Sequence, residues 1–367
     1  MPLERRAASD PLLQRVVCSR ELLSIIASHP NCPAYGLYPC SATTLPNLSL
    51  SCSNEPAAVP DERDLTKARI DSLNALIRQD PDNPALYVER GQAWQALGNP
   101  KEALADFDLA IASDSTHAPA WIQKMDLLYA MQDLEGCVAV ADGCIAHAPE
   151  ETACLLRRAE FHIHLRQYEQ AFERLNAALQ VDDQLEEAYW MKGRIYREVG
   201  DKELALSSFS TSVEVNPEFF DGYIALGLQL AEAKDAAAAD AYRSAIDLRP
   251  GSIEPRYNLA MFFQDNGRYD EASASYREIL ALDSNNATAC FNLGYIRLEY
   301  LQQFDSAAYW FSEAIERLPY YHQAWFNRGL ALESLGRNQD ALRDYNEALR
   351  IKPDYTAAAR AKGRLVD

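Results

Sequence analysis

From about residue 84 onward, apolar and small positions recur on a fixed period. In the stretch WFNRGLALESLGR, Trp325, Gly329 and Leu332 share one face at helical spacing. Ala341, Tyr345 and Ala348 share a face in the next segment, and Pro353 follows it. The pattern predicts one helix over about Gln323 to Leu335, a turn at Gly336, and a second helix over about Asn338 to Ile351. The small slot of Gly329 recurs at Gly91, Met125, Ala159, Gly193, Gly227, Ala260 and Gly294, in steps of 33 to 35 residues, and only Met125 is large. A second ladder is Ala103, Cys137, Ala171, Ala205, Ala238, Ala272, Ala307 and Ala341. A third, mostly aromatic, is Phe107, Ala141, Leu175, Phe209, Tyr242, Tyr276, Phe311 and Tyr345.

Two steps depart from 34: one of 33 residues after Gly227, and one of 35 after Gly294. Both changes fall between the small residue and the following alanine. Gly98, Gly200, Gly267 and Gly336 sit there in other copies. Both are therefore expected in the turn between two helices, where a packed array tolerates length change. Small residues at Gly329 and Ala341 let the two helices approach closely, while Trp325 and Tyr345 fill the wider gaps.

The pattern W-x3-G-x2-[LY]…G…A-x3-[FY]-x2-A…P resembles the tetratricopeptide repeat. Eight copies are expected, at about 84–117, 118–151, 152–185, 186–219, 220–252, 253–286, 287–321 and 322–355. The second is the poorest match, with Met125 in the glycine slot and Ala141 in the aromatic slot. Residues 61–83 are expected to hold an N-terminal capping helix, and 356–367 a C-terminal one, because each unit buries its apolar face only against neighbours. The resemblance implies an all-α fold, a right-handed α-solenoid of stacked antiparallel helix pairs. It also implies a concave groove, lined by first helices, that holds a peptide or a partner's helix.

With Trp325, Gly329 and Leu332 packed inward, Phe326, Asn327 and Leu330 face the other way, toward that groove. The same slots give Trp190, Met191 and Arg194; Ile224, Ala225 and Leu228; Tyr257, Asn258 and Met261; and Phe291, Asn292 and Tyr295. Asn258, Asn292 and Asn327 would form a row of amides able to bind a peptide backbone. Trp190, Ile224, Tyr257, Phe291 and Phe326 would hold side chains by burial, with Leu228, Met261 and Tyr295 beside them. Glu89, Gln123 and Arg157 replace the asparagine in the first three copies. The alternative is consensus packing with no ligand at these positions. The Lys–Asn–Arg clamp by which some members of this family bind acidic chaperone tails has no counterpart in register.

The charge is strongly acidic: 54 Asp and Glu against 35 Lys and Arg, a formal net charge of −19. That argues against nucleic acid as the main partner. No apolar run reaches membrane-spanning length. Phosphate-loop, dinucleotide, zinc-protease and serine-hydrolase motifs are absent, so no enzyme activity, cofactor or metal is expected. His162 and His164, two apart on a helix, diverge and make a poor metal pair. Cys137 and Cys144 fit as packed thiols in small slots, while disulfides stay open.

Residues 1–60 do not fit the repeat and are expected to be a disordered or targeting segment. Within them, Leu48-Ser-Leu-Ser-Cys52 resembles a bacterial lipoprotein cleavage box, which makes Cys52 the candidate lipidation site. The preceding stretch contains Pro39 and Pro46 and lacks a proper apolar core. A cytoplasmic tail or a misassigned start codon are the rival readings. The function expected is a scaffold binding other proteins in its groove, cytoplasmic by default. The alternative is a membrane-anchored, periplasm-facing lipoprotein scaffold for envelope assembly.

Overall fold

In the computed structural model of the chain, residues 61–366 are described. They form eighteen α-helices and no strand. Helix α1 (Glu62–Gln79) stands alone. Eight antiparallel pairs follow: α2 (Pro84–Ala96) with α3 (Pro100–Ser113), α4 (Ala118–Ala130) with α5 (Leu134–His147), α6 (Thr152–His164) with α7 (Tyr168–Val181), and α8 (Glu186–Val199) with α9 (Lys202–Val215). Then come α10 (Phe220–Glu232) with α11 (Ala238–Leu248), α12 (Glu254–Asp265) with α13 (Tyr269–Leu282), α14 (Ala287–Tyr295) with α15 (Phe304–Arg317), and α16 (His322–Ser334) with α17 (Asn338–Ile351). Helix α18 (Thr356–Val366) closes the stack, burying Ala358 and Ala361 against Tyr345 and Ala348. Each helix packs on its pair partner and on the next pair, so the protein is an all-α solenoid.

In five of the eight pairs the central contact is glycine against an aromatic ring. A Cβ added at Gly91, Gly193, Gly227 or Gly329 would lie 2.5 Å from the ring of Phe107, Phe209, Tyr242 or Tyr345 respectively. All four rings are almost fully buried. The second repeat reverses the sizes: Met125 and Ala141 occupy the two slots, and both are buried in one cluster. Its poor match to the pattern is thus an exchange of volumes between facing positions.

Two polar devices join neighbouring repeats. An aromatic early in the first helix bonds a carbonyl six residues back: Tyr87 to Pro81 (2.9 Å), Trp121 to Ser115 (2.9 Å), Tyr189 to Asp183 (3.1 Å) and Trp325 to Pro319 (2.8 Å). Three residues after that aromatic slot, a cation reaches the second helix of the preceding repeat, or α1 in the case of Arg90. The pairs are Arg90 to Asn74 (2.7 Å), Lys124 to Asp108 (2.5 Å), Arg158 to Asp142 (2.7 Å), Lys192 to Asn176 (3.2 Å) and Arg328 to Ser312 (3.0 Å). Arg90 and Arg328 also form forked pairs with the buried carboxylates of Asp106 and Asp344. Leu226, Leu259 and Leu293 hold the same slot in the middle repeats, where they join the apolar packing.

Every intra-repeat turn passes through one left-handed residue. Glycine supplies it at Gly98, Gly200, Gly267 and Gly336, but Gln132, Arg166, Lys234 and Gln302 adopt it too, with φ between 51° and 63°. This residue locates the two length changes. The 33-residue copy loses its residue after Lys234, so α11 has 11 residues where its counterparts have 14. The extra residue of the 35-residue copy lies before Gln302. It is absorbed as a π-helical segment, Ile296–Tyr300, that continues α14. The expectation that both changes lie in the turn holds for the first, which falls between Glu232 and Ala238, and is corrected for the second. One first helix widens its coil by a residue and keeps Ile296, Arg297 and Leu298 buried.

Cys144 is also corrected. It forms a disulfide with Cys154, their Cα atoms 6.2 Å apart, which joins α5 to α6 across a repeat boundary. Cys137 and Cys290 are buried free thiols. Two outcomes are expected from this packing. Replacing both Cys144 and Cys154 by Ala should lower unfolding free energy by roughly 2–3 kcal/mol, the loop-closure value for a short loop, measured by urea unfolding without reductant. Gly329→Ala should cost about 1–3 kcal/mol through the Tyr345 ring, with helical content unchanged by circular dichroism at low temperature.

Candidate protein-binding surface

The first helices α8, α10, α12, α14 and α16 carry the residues predicted to line a groove. They divide into two groups. Ile224, Phe291 and Phe326 are buried. Phe291 packs on Tyr321 with centroids 5.0 Å apart, and Phe326 on Tyr355 at 5.2 Å. Trp190, half-buried, meets Phe219 edge-on at 6.3 Å and carries the Arg194 guanidinium over its ring at 4.7 Å. Phe219, Tyr321 and Tyr355 all stand just before the next first helix. Each covers the aromatic row of its own repeat, a role that sequence spacing did not reveal. Ser252 and Asn286 stand in that slot in the two repeats between, where Ile224 is buried and Tyr257 half-buried.

The asparagine row requires correction. Asn292 is 2% exposed, and its Nδ2 donates to the Tyr257 hydroxyl at 3.3 Å. Asn327 is 8% exposed, and its Nδ2 donates to the Gln323 carbonyl of its own helix at 2.9 Å. Asn258 is half-buried. The slot lies between adjacent first helices, where an amide satisfies polar groups of the chain itself. It does not present an exposed amide ladder.

What stays accessible is one apolar residue per repeat, a turn further along: Leu228, Met261, Tyr295 and Leu330. Leu228 is 36% exposed and the others are half-buried. Burial and the nearby Glu299 push the Tyr295 phenol up to about 12, so it is a neutral hydroxyl at any physiological pH.

A cleft of about 410 Å³ lies on the preceding first helices, lined by Ile122, Leu156, Leu185 and Met191 with Arg157, Glu160, Glu186 and Glu187. Arg157 takes the asparagine slot of the third repeat. Its guanidinium is held 3.1 Å from Asp126 and 3.1 Å from Glu160. Burial and the adjacent Glu186 raise the Glu187 carboxyl above its ordinary range. His162 is buried with its ring against Gln167 at 2.8 Å, while His164 is exposed. Cys52 lies outside the described residues.

Helix pairs on a period of about 34 residues, five of them with a glycine–aromatic contact inside the pair, define a helical-repeat solenoid. Tetratricopeptide-repeat family models match residues 322–355 and, as a second model, 70–118 and 191–253, and a TPR-repeat model matches 261–299. The chain belongs to the tetratricopeptide-repeat family. It is 25% identical over 167 residues to human tetratricopeptide repeat protein 6, covering 44% of this chain and 32% of that protein. It is 46% identical over 57 residues to a Caenorhabditis elegans protein O-mannosyl-transferase, covering 16% of this chain and 8% of that one. The chain therefore spans a third or less of the length of these relatives. The crystal structure of the APC/C hetero-tetramer Cut9–Hcn1 is similar at 16% identity and TM-score 0.44, over 83% of this chain and 59% of that one. Among the described residues no helix is long and apolar enough to cross a membrane.

The two faces of the first helices should respond differently to mutation. Asn292→Ala should cost about 1–2 kcal/mol in urea unfolding, because it removes a buried hydrogen bond to Tyr257. Leu228→Ser should stay within about 0.5 kcal/mol of the parent chain.

Proposed function

We propose that this protein is a non-enzymatic scaffold that binds a segment of another protein along the first helices of repeats four to eight. The observation that carries the reading is the row Leu228, Met261, Tyr295 and Leu330. It sets one accessible apolar side chain on each of four adjacent first helices, in a chain whose net charge is −19. Such a row offers burial to an apolar stripe on a partner, and Tyr295 adds a hydroxyl for orientation. The partner's backbone is not read by the asparagines on this proposal. Side-chain burial supplies the affinity.

A photo-cross-linking amino acid placed at Leu228 or Leu330 should give discrete protein adducts in cells. The same residue at Leu109, exposed on α3, should not. Equal adducts at all three positions, or none at Leu228 and Leu330, would overturn the reading.

A second reading is favoured by the Cys144–Cys154 disulfide. Disulfides persist in oxidising compartments and are rare in the cytosol, which supports a scaffold on the outer side of a bacterial membrane, anchored through Cys52. Cells fed a labelled fatty acid should label the parent protein and not Cys52→Ala. Label retained in that variant, or absent from both, sinks the anchor.

A further inference from the structure

The cleft on α4, α6 and α8 differs in chemistry from the apolar row that follows it. Its floor is aliphatic: Leu156 and Met191 are buried beneath it, and Ile122 and Leu185 border it. Its rim is acidic: Glu160, Glu186 and Glu187 line it, and Asp126 stands against it through Arg157. Arg157 is the one cation in the lining. Arg158, beside it in sequence, is turned away and paired with Asp142 at 2.7 Å. Glu186 accepts from Asn216 at 2.7 Å, so that carboxylate is partly satisfied within the chain. Arg157 is ion-paired to Asp126 and Glu160, and Glu187 feels that same guanidinium only at longer range.

Arg157 shows what these carboxylates accept. A guanidinium lies between Asp126 and Glu160 at the cleft, and the one cation of the lining is shared among Asp126, Glu160 and Glu187. We propose that this cleft takes a lysine or arginine side chain of an extended partner segment, bridged by Glu160 and Glu187, with a neighbouring aliphatic residue seated on Leu156 and Met191. The proposal deepens the protein-binding reading and rests on it. It gives the first-helix face a direction. Repeats two to four select a basic element through charge complementarity, and repeats five to eight hold the apolar stripe that continues from it. A cation at the rim also offsets the burial and the neighbouring Glu186 charge that raise the Glu187 carboxyl.

The test uses the full chain and two fluorescein-labelled dodecapeptides of glycine and serine, one with a central Leu-Arg-Leu-Lys and one with Leu-Glu-Leu-Glu. Fluorescence anisotropy should show the basic peptide binding at least about tenfold more tightly than the acidic one. Glu160→Gln with Glu187→Gln should weaken the basic peptide by about tenfold. Glu203→Gln with Glu214→Gln, which removes the same charge from the exposed side of α9, should leave it within about twofold. Glu187→Gln alone serves if the double variant loses helicity, and it should weaken binding about threefold. Equal weakening by the two double variants means that bulk negative charge attracts the peptide, and the proposal falls. It falls also if both peptides bind alike or neither binds. Cross-links at Leu228 that survive Glu160→Gln with Glu187→Gln at full yield would overturn the basic-segment proposal alone and leave the protein-binding reading standing.

Discussion

Everything in this fold depends on how closely the two helices of each repeat approach. A glycine on the first helix admits a ring from the second, so near that an added Cβ would lie 2.5 Å from it in four of the repeats. That single approach fixes the depth of the ring, and through it the position of the next pair. It also explains why the second repeat folds without the pattern. Met125 opposite Ala141 fills the same space from the other side. Volume summed across the contact is conserved, while the identity of either residue is free to change.

Periodicity made the helix pairs legible. It did so because the small, alanine and aromatic slots are all core slots, and core slots repeat. It did less well where the chain departs from the period. A change in length says that the register shifts, not where the backbone takes up the shift. One change shortened α11, and the other became the π segment Ile296–Tyr300. The left-handed turn slot was legible only where it holds glycine. Gln132, Arg166, Lys234 and Gln302 pass through the same φ without a residue type that advertises it.

The binding face was read half correctly for a related reason. Helical spacing separates inward from outward, but a solenoid helix has three environments: its own partner, the neighbouring repeats and solvent. Asn292 and Asn327 point away from the glycine face and are still buried, because the adjacent first helix lies there. The aromatic row was likewise covered by Phe219, Tyr321 and Tyr355, residues in the loops that spacing assigned to no face. Among the apolar positions of this face, Leu228, a full turn further along, is the most exposed, at 36%. The cation ties of Arg90, Lys124, Arg158, Lys192 and Arg328 were invisible for the opposite reason. They are surface-type residues whose partners stand sixteen places back in another helix.

In a stack whose stability is a sum over neighbours, one weak unit in the middle divides the array into independently unfolding parts. The second repeat is the candidate for such a break, since it lacks both consensus residues of the central contact. The disulfide joins its second helix to the first helix of the third repeat, at the boundary where that division would open. The acidic cleft spans the same boundary, with Ile122 on one side and Leu156 on the other. A covalent tie there does more than add stability. It ties α5, the pair partner of α4, to α6, the helix that carries Arg157 and Glu160. A preorganised rim loses less entropy on binding than one assembled by the ligand. The disulfide and the cleft therefore stand at one boundary, so the tie that limits how far the second and third repeats can part also limits how far the two sides of the cleft can open.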